Sequence, residues 1–556
     1  MQDSSKTPDY HDYYKNFSLQ DLSAHFAGDF ETGMNACVEC CDAHVAQGGT
    51  ALIWEGAEGE TSTLSFAELK AQSAKFANLL TSLGIGPGDV VAGLLPRCPE
   101  LLIVILGTWR AGGVYQPLFT AFGPKAIEQR FQTSSARLVV TDVPNRAKLD
   151  EVPNCPRIAV LARPTRGQSV AAGDLDLTAS LLAESAHFTP VLRRGEDLFL
   201  LLSTSGTTGL PKGVPVPLRA LLAFRLYMEL GIGLRPEDKF WNLADPGWGY
   251  GIYYAVTGPL LMGCTTTFYE GGFTVESTYR LLKTHGITNL AGAPTAFRLL
   301  MAAGTEPAAA LKGQLRVVSS AGEALNPEVV HWFRKALDVP ICDHYGQTET
   351  GMVLNNHHGL AHPMRAGAAG LSMPGFRMVI LDAEGAELGS GQPGELAIDL
   401  AASPLFWFTG YHHKATPALG PRYYRTGDMA ELGADGLIAF IGRSDDVITS
   451  SGYRIGPFDV ESALIEHPAV VEAGVIGKPD PERTEIVKAF VVLKPEFEAN
   501  EELATSLRQH VRQRLSAHAY PREIEFVTQL PKTPSGKLQR HILRSYADHT
   551  AQSGKN

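Results

Sequence analysis

From Leu64 onward, stretches with helical periodicity alternate with short runs of consecutive apolar residues. "LSFAELKAQSAKFANLLTSLG" carries the helix period, with Ser65 placed to cap its start and Gly84 to close it. "VVAGLL" reads as a buried strand, "CPELLIVILGTWRAGG" as a helix ending in glycines, and "ARLVVTD" as a strand again. The alternation returns in "GITNLAGAP", "LRVVSSAGEAL" and "PEVVHWFRKAL". Strands that are apolar throughout need cover on both faces, and intervening helices supply it. An α/β fold with mixed or parallel sheets is therefore predicted.

The chain has 556 residues, more than one hydrophobic core normally supports, so at least two domains are expected. After about Met373 the texture changes: "FRMVILDAEGAELGSGQPGELAI" has short strands broken by turn residues, which predicts hairpins in a β-rich subdomain. Beyond Arg443 it changes again, with "VESALIEHPAV" as a helix, "IVKAFVVL" as a strand and "ELATSLRQHVRQRLS" as an amphipathic helix. That tail is long enough for a small α+β domain. The boundary is placed within Gly442 to Asp446, giving a large domain over 1–444 and a small one over 445–556.

The net charge of −11 argues against nucleic acid as a partner, while leaving room for a local basic pocket. No apolar run is long enough to span a bilayer, and the N-terminus lacks the basic-then-apolar pattern of a signal peptide. Seven scattered cysteines suit a reducing compartment, so a cytoplasmic location is expected. Cys37, Cys40, Cys41 and His44 have the spacing of one helix face, which favours a core-facing helix over a metal site.

Chemistry concentrates first in "LLSTSGTTGLPKGV". Leu200 to Leu202 would end a buried strand, and the Ser/Thr/Gly run would form the turn leaving it. Backbone N–H groups and hydroxyls in such a turn converge on anions, and glycines let the backbone approach closely. The spacing is not that of a P-loop, because Gly213 follows Lys212 where Ser or Thr is required. Pro211 also disfavours running directly into a helix there.

Five more motifs follow at wide intervals: "SSAGEAL", "DHYGQTET", "YRTGD", "GRSDDVITSSGYRIGP" and "PKTPSGKLQR". Together with "STSGTTGLPKG" they resemble the adenylate-forming superfamily of acyl-CoA synthetases, peptide-synthetase adenylation domains and luciferases. The region from "SSGYRIGP" to "VKAFVVL" is most similar to medium-chain acyl-CoA synthetases, and "ALIWEG" is similar to acetyl- and propionyl-CoA synthetases. The resemblance implies an ATP-dependent, AMP-forming acyl-CoA synthetase using Mg2+ and coenzyme A. A carboxylic acid would become an acyl-AMP and then a thioester.

The same resemblance assigns residues. The loop Ser203, Thr204, Ser205, Gly206, Thr207, Thr208 and Gly209, with Lys212, would grip the triphosphate. Glu349 would hold Mg2+, as suits a hard cation shared with phosphates. Glu323, Asp343, His344 and Tyr345 would lie at the adenine, with the Tyr345 ring stacked on the base. Gln347 and Thr348 follow, with Thr348 near the α-phosphate. Asp428 would accept hydrogen bonds from the ribose hydroxyls, with Arg443 beside it. Lys537 would be the catalytic cation for adenylation, acting with Glu349 and Thr204. The small domain would then swing about Asp445. On its second face Ser451, Gly452 and Tyr453 would line the path of the thiol arm, Arg454 would contact the adenylate or phosphate, and Arg483, Tyr520 and Arg522 would contact coenzyme A.

In acetyl-CoA synthetases a bulky Trp closes the acyl pocket where this chain has Gly346, so a deeper slot is expected, with Trp248 and Tyr250 as another wall. This predicts a short-to-medium-chain or branched acid. The alternatives are an acetyl- or propionyl-CoA synthetase, an enzyme loading a carrier protein, a luciferase-like oxidase, or a non-catalytic scaffold. Intact Lys537, Glu349 and Asp428 argue against the last. Related bacterial enzymes are silenced by acetylation of this lysine, which implies a lysine acetyltransferase as a partner acting on Lys537.

Overall fold

The alternation of helices and apolar strands folds into two helix-covered sheets in the computed structural model, which describes residues 7–204, 211–443, 446–450, 453–480, 483–515, 519–533 and 537–553. A seven-stranded sheet runs in the order Leu175–Asp176, Arg157–Leu161, Leu138–Asp142, Val90–Leu94, Val114–Pro117, Leu198–Thr204, Lys212–Pro217. All its neighbours are parallel except the last pair, which forms an antiparallel hairpin. A nine-stranded sheet holds Asn289–Gly292, Val317–Ala321 and Ile341–Gln347 side by side and parallel. Parallel strands leave their C-terminal ends on one edge, where loops gather into ligand sites.

The helices form as their sequences direct. Ser65 and Glu68 make a reciprocal capping box on the helix Phe66–Ser82, and Gly84 beyond it takes φ +72°. This helix packs on Pro99–Arg110, and one continuous core joins them to Val91 and Leu200 of the first sheet and Leu52 and Phe268 of the second. Arg110 is buried there, satisfied by Asp42 and Ser73.

The cysteine cluster departs from one helix face. The helix Ala36–Cys40 ends before His44, which sits in a separate 3-10 turn, Asp42–Gln47. The three thiols are buried and face different neighbours, namely the Ser73 hydroxyl, the Thr257 carbonyl and the Phe66 carbonyl.

Beyond Met373 the expected hairpins form an antiparallel four-stranded sheet of Met378–Leu381, Pro393–Asp399, Tyr423–Leu432 and Ile438–Arg443. The smaller C-terminal domain has a five-stranded sheet of its own, beginning at Ile448–Ser450, with helices Pro457–Ile465, Glu501–Arg514 and Arg540–Ser553. Ala504, Leu507 and Val511 form the buried stripe of the amphipathic helix. The division proposed from the sequence falls between Arg443 and Ile448; residues 444 and 445, including the hinge position Asp445, lie outside the described residues. Met301, on the helix Pro294–Ala302 of the large domain, packs against the cores of both domains. Among the described residues no helix is long and apolar enough to cross a membrane.

Candidate active site

Of the Ser/Thr/Gly stretch, Ser203 and Thr204 end the strand Leu198–Thr204. Ser203 pairs with Gly213 and Thr204 with Lys212, so these residues stand at the mouth of the loop. Ser205, Gly206, Thr207, Thr208 and Gly209 lie outside the described residues. Pro211 directly precedes the strand Lys212–Pro217.

Lys212 does not end in open solvent. Its Nζ lies 4.7 Å from the centre of the Tyr411 ring, and the Tyr411 hydroxyl donates a 2.8 Å hydrogen bond to Glu349 Oε1. The next residue, His412, donates its backbone N–H to the Gly213 carbonyl at 2.9 Å, fixing this segment to the strand that leaves the loop. Glu349 is buried, at 8% exposure. Burial pushes its carboxyl above the usual range, opposed by the Tyr411 hydrogen bond and the charges of Lys212 and Lys537. A buried carboxylate oriented by the Tyr411 hydroxyl fits the donor chemistry of a hard divalent ion shared with phosphate.

The strand Ile341–Gln347 alternates its side chains, and this sorts the predicted adenosine residues. Tyr345 and Gln347 converge on Asp428: the Tyr345 hydroxyl donates to Oδ2 at 2.6 Å and Gln347 Nε2 at 2.9 Å. Gln347 is itself held by the Thr426 carbonyl and the Tyr424 hydroxyl, each at 2.9 Å. Asp428 stands opposite Arg443 in register, with Arg443 Nε 3.7 Å from Oδ1. Burial raises the Asp428 carboxyl, while Arg443, Tyr345, Gln347 and Lys537 oppose it. Asp343 Oδ2 accepts from the Leu325 N–H at 3.1 Å, and its buried Oδ1 has no hydrogen-bond partner among the described residues. Burial pushes this carboxyl up to about 8.

His344 points the other way. Its ring is buried in the core, with Nδ1 2.7 Å from the Tyr227 hydroxyl and Nε2 3.1 Å from the Asn356 carbonyl. A carbonyl only accepts, so Nε2 carries the proton and Nδ1 accepts from tyrosine. The expected place beside adenine is thus corrected for His344: the residue between Asp343 and Tyr345 faces the opposite side of the strand. Glu323 is also committed, accepting from Thr295 Oγ1 at 3.1 Å and from Arg298 Nη2 at 3.0 Å.

Lys537 reaches this cluster from the small domain. Its Cε lies 3.9 Å from where a Cβ on Gly322 would stand, and Gly322 has φ +99°. The lysine's backbone is clasped by Thr533, whose hydroxyl accepts its N–H at 3.0 Å and whose N–H donates to its carbonyl at 2.7 Å. The charge of Lys537 acts on both Glu349 and Asp428.

The expected wall residues lie close by. Trp248 packs against Phe119 and Phe122, with ring centres 5.8 and 5.3 Å apart, and its buried indole N–H has no partner among the described residues. The Tyr250 hydroxyl is 3.4 Å from that of Tyr227. Thr348 is adjacent: its Oγ1 would lie 3.2 Å from a Cβ on Gly249, and its carbonyl accepts from Tyr253 at 2.9 Å. Gly346 requires a correction. A Cβ there would meet the Gly351 carbonyl oxygen at 2.1 Å, so the missing side chain answers a close backbone approach at a bulge rather than opening a slot by itself.

The residues assigned to coenzyme A sit in the small domain. Ser451 and Gly452 lie outside the described residues, while Tyr453 and Arg454 belong to the short strand Tyr453–Ile455. Arg522 stacks its guanidinium 4.2 Å over the Tyr520 ring and donates to its hydroxyl. Arg483 precedes the strand Thr484–Leu493 of the same sheet, and its N–H donates to Asp480 Oδ1 at 2.9 Å. Sequence reasoning missed Tyr411, which holds Glu349, and Thr295 and Arg298, which hold Glu323. Their only signal is proximity in space.

Residues 42–411 match the AMP-binding enzyme family and residues 459–537 its C-terminal domain. The chain is 37% identical to an acetyl-coenzyme A synthetase of Bacillus subtilis, covering 97% of this chain and 95% of that one. It is 36% identical to the mitochondrial acyl-coenzyme A synthetase ACSM3 of Mus musculus, covering 89% and 86%. Among solved structures, a Brucella canis acyl-CoA synthetase is 59% identical with a TM-score of 0.80, covering 98% of this chain and all of the other. The anthranilate CoA ligase AuaEII, solved with anthranoyl-AMP, is 26% identical with a TM-score of 0.85, covering 94% and 98%. The chain belongs to the AMP-binding enzyme family, within the adenylate-forming superfamily.

Proposed function

We propose that the acid activated by this enzyme is a short-to-medium-chain aliphatic or branched carboxylic acid. The coarser activity is that of an AMP-forming acid–thiol ligase using ATP, Mg2+ and coenzyme A. In the first step a carboxylate oxygen attacks the α-phosphorus and pyrophosphate leaves. In the second the coenzyme A thiol, losing its proton, attacks the acyl carbon and AMP leaves. The observation that carries the ligase activity is the approach of Lys537 of the small domain to Gly322 of the large one, with its charge felt at the buried Glu349 and Asp428. A cation there offsets the repulsion between carboxylate and triphosphate and neutralises charge at the bridging oxygen.

The remaining roles in this reading follow from position. Ser203, Thr204 and Lys212, with the loop they frame, hold the β- and γ-phosphates. Mg2+ at Glu349 would supply charge neutralisation on the phosphates. Asp428, pre-aligned by Tyr345 and Gln347, receives the ribose hydroxyls beside Arg443. The unfilled Asp343 Oδ1 suits the exocyclic amine of adenine. Arg522, stacked on Tyr520, and Arg483 offer cations for the phosphates of coenzyme A.

The aromatic wall of Trp248, Phe119 and Phe122 supports an acid with an apolar tail. Each methylene it buries is worth about 0.8 kcal/mol, roughly fourfold in kcat/KM. Acetate is the competing reading: the Bacillus subtilis relative carries that name, and the crowding at Gly346 removes one reason for a deep slot. A pyrophosphate-release screen across acids of rising chain length, with and without coenzyme A, decides between them. Highest kcat/KM for acetate would overturn the longer-acid reading.

The seven cysteines are all free thiols, which supports a reducing, cytoplasmic setting. Lys537 is exposed, which supports its modification by a lysine acetyltransferase. Incubation with such an enzyme and acetyl-CoA is expected to abolish adenylation, and unchanged adenylation after stoichiometric acetylation would refute the idea.

A further inference from the structure

Asn326 occupies the N-cap of the helix Pro327–Leu337, yet its side chain makes no capping hydrogen bond. A capping asparagine ordinarily accepts from the N–H groups of the first turn, which stabilises the helix. Here the amide is used elsewhere. Its Oδ1 accepts from Arg298 Nη1 at 3.1 Å, and its Nδ2 donates to Ser462 Oγ of the small domain at 2.8 Å. Asn326 is 2% exposed, so this bond between domains is sheltered from water.

Both ends of that bond lead back to the reacting centre. On the large domain, Arg298 also holds Glu323, which directly follows Gly322, the backbone that Lys537 approaches. On the small domain, Ser462 is the neighbour of Glu461 in the helix Pro457–Ile465. Both oxygens of Glu461 accept from Arg540 Nη2, at 2.7 and 2.8 Å, and Oε1 accepts the Val475 N–H at 2.9 Å. Arg540 starts the last helix, three residues after Lys537. The contacts Glu323–Arg298–Asn326–Ser462 and Glu461–Arg540 therefore close a ring whose open point is the space between Gly322 and Lys537.

We propose that Asn326, oriented by Arg298, is a positioning residue that docks the small domain through Ser462 so that Lys537 stands at the nucleotide site. It rests on the two-step reading above, in which Lys537 serves adenylation and a second orientation serves thioester formation. A bond made in only one orientation favours only that orientation's half-reaction. Its loss would slow acyl-AMP formation and spare, or slightly speed, the thioester step.

The test measures the two halves separately in the full-length enzyme. Acid-dependent pyrophosphate exchange reports adenylation, and thioester yield from supplied acyl-AMP and coenzyme A reports the second step. Asn326→Ala and Ser462→Ala are each expected to lower exchange about three- to tenfold, the range of one net hydrogen bond, with thioester formation within about twofold of wild type. The double variant is expected to lose no more than either single one, and Ser462→Thr, which keeps a hydroxyl, to stay near wild type. Ser462→Ala provides the test if Asn326→Ala fails to fold. Equal loss in both halves, additive losses in the double variant, or unchanged exchange in Ser462→Ala would each overturn the proposal. A wild-type enzyme with neither half-reaction would instead overturn the reading beneath it.

Discussion

Lys537 reaches the backbone of Gly322: a methyl group on that glycine would lie 3.9 Å from the lysine Cε. The two residues are more than two hundred positions apart and belong to different domains. Lys537→Ala is therefore expected to lower pyrophosphate exchange by about 10²–10³-fold, as removing a preorganised charge stabiliser does. Thioester formation from supplied acyl-AMP should stay near wild type. Parallel loss of both rates would show that the lysine is not specific to adenylation.

Tyr411 touches both Glu349 and Lys212, and no motif pointed to it. Removing its hydroxyl leaves the buried Glu349 carboxylate without the donor that orients it. Tyr411→Phe keeps the ring under Lys212, so the lysine contact survives. We expect the Mg2+ concentration for half-maximal pyrophosphate exchange to rise about tenfold, the worth of a hydrogen bond to a charged group. Direct Mn2+ titration of the enzyme with ATP should shift alike. An unchanged metal requirement would mean that Tyr411 serves packing alone.

The βα alternation, the capping box at Ser65 and Glu68 and the late β-rich hairpins were legible in the sequence because each is a local pattern. The acids Glu349 and Asp428 stood out through motifs, and both are buried in the structure. The hydrogen bonds that aim those acids were not legible in the sequence. Tyr411 meets Glu349 across 62 residues and Asn326 meets Ser462 across 136, separations at which periodicity carries no information. His344 was misplaced because a motif read as a continuous string ignores the alternation of a strand, which turns every second residue away.

Gly346 is the residue at which the two explanations of a missing side chain make opposite predictions. If it only deepened a slot, Gly346→Ala would leave the fold intact and shift preference toward shorter acids. With the Gly351 carbonyl oxygen 2.1 Å from the new Cβ, the backbone must instead move. We expect a loss of about 1–3 kcal/mol of stability, the cost of overpacking a tight site. Adenylation should fall for every acid, because Gln347, the next residue, aligns Asp428. Tm by calorimetry and kcat/KM across the acid series check both parts; an unchanged Tm with altered chain-length preference would restore the slot explanation.

Acid stability should depend on His357. Its ring is buried at 3% exposure, stacked 5.6 Å from Tyr10 and edge-on 5.6 Å from His362. Burial, with the neighbouring His362 and His358, pushes it down from 6.5 to about 3. Between those values the unfolded chain binds a proton that the folded protein refuses. Stability is therefore fully present above 6.5, falls as pH drops through that value, and stops falling only below about 3. At about pH 5 the loss from this one group is on the order of 2 kcal/mol. His357→Phe keeps an aromatic ring against Tyr10 and removes the titration. The fall in Tm between about pH 7 and about pH 5 should be smaller in the variant than in the wild type. An equal fall in both would place the acid sensitivity in other groups.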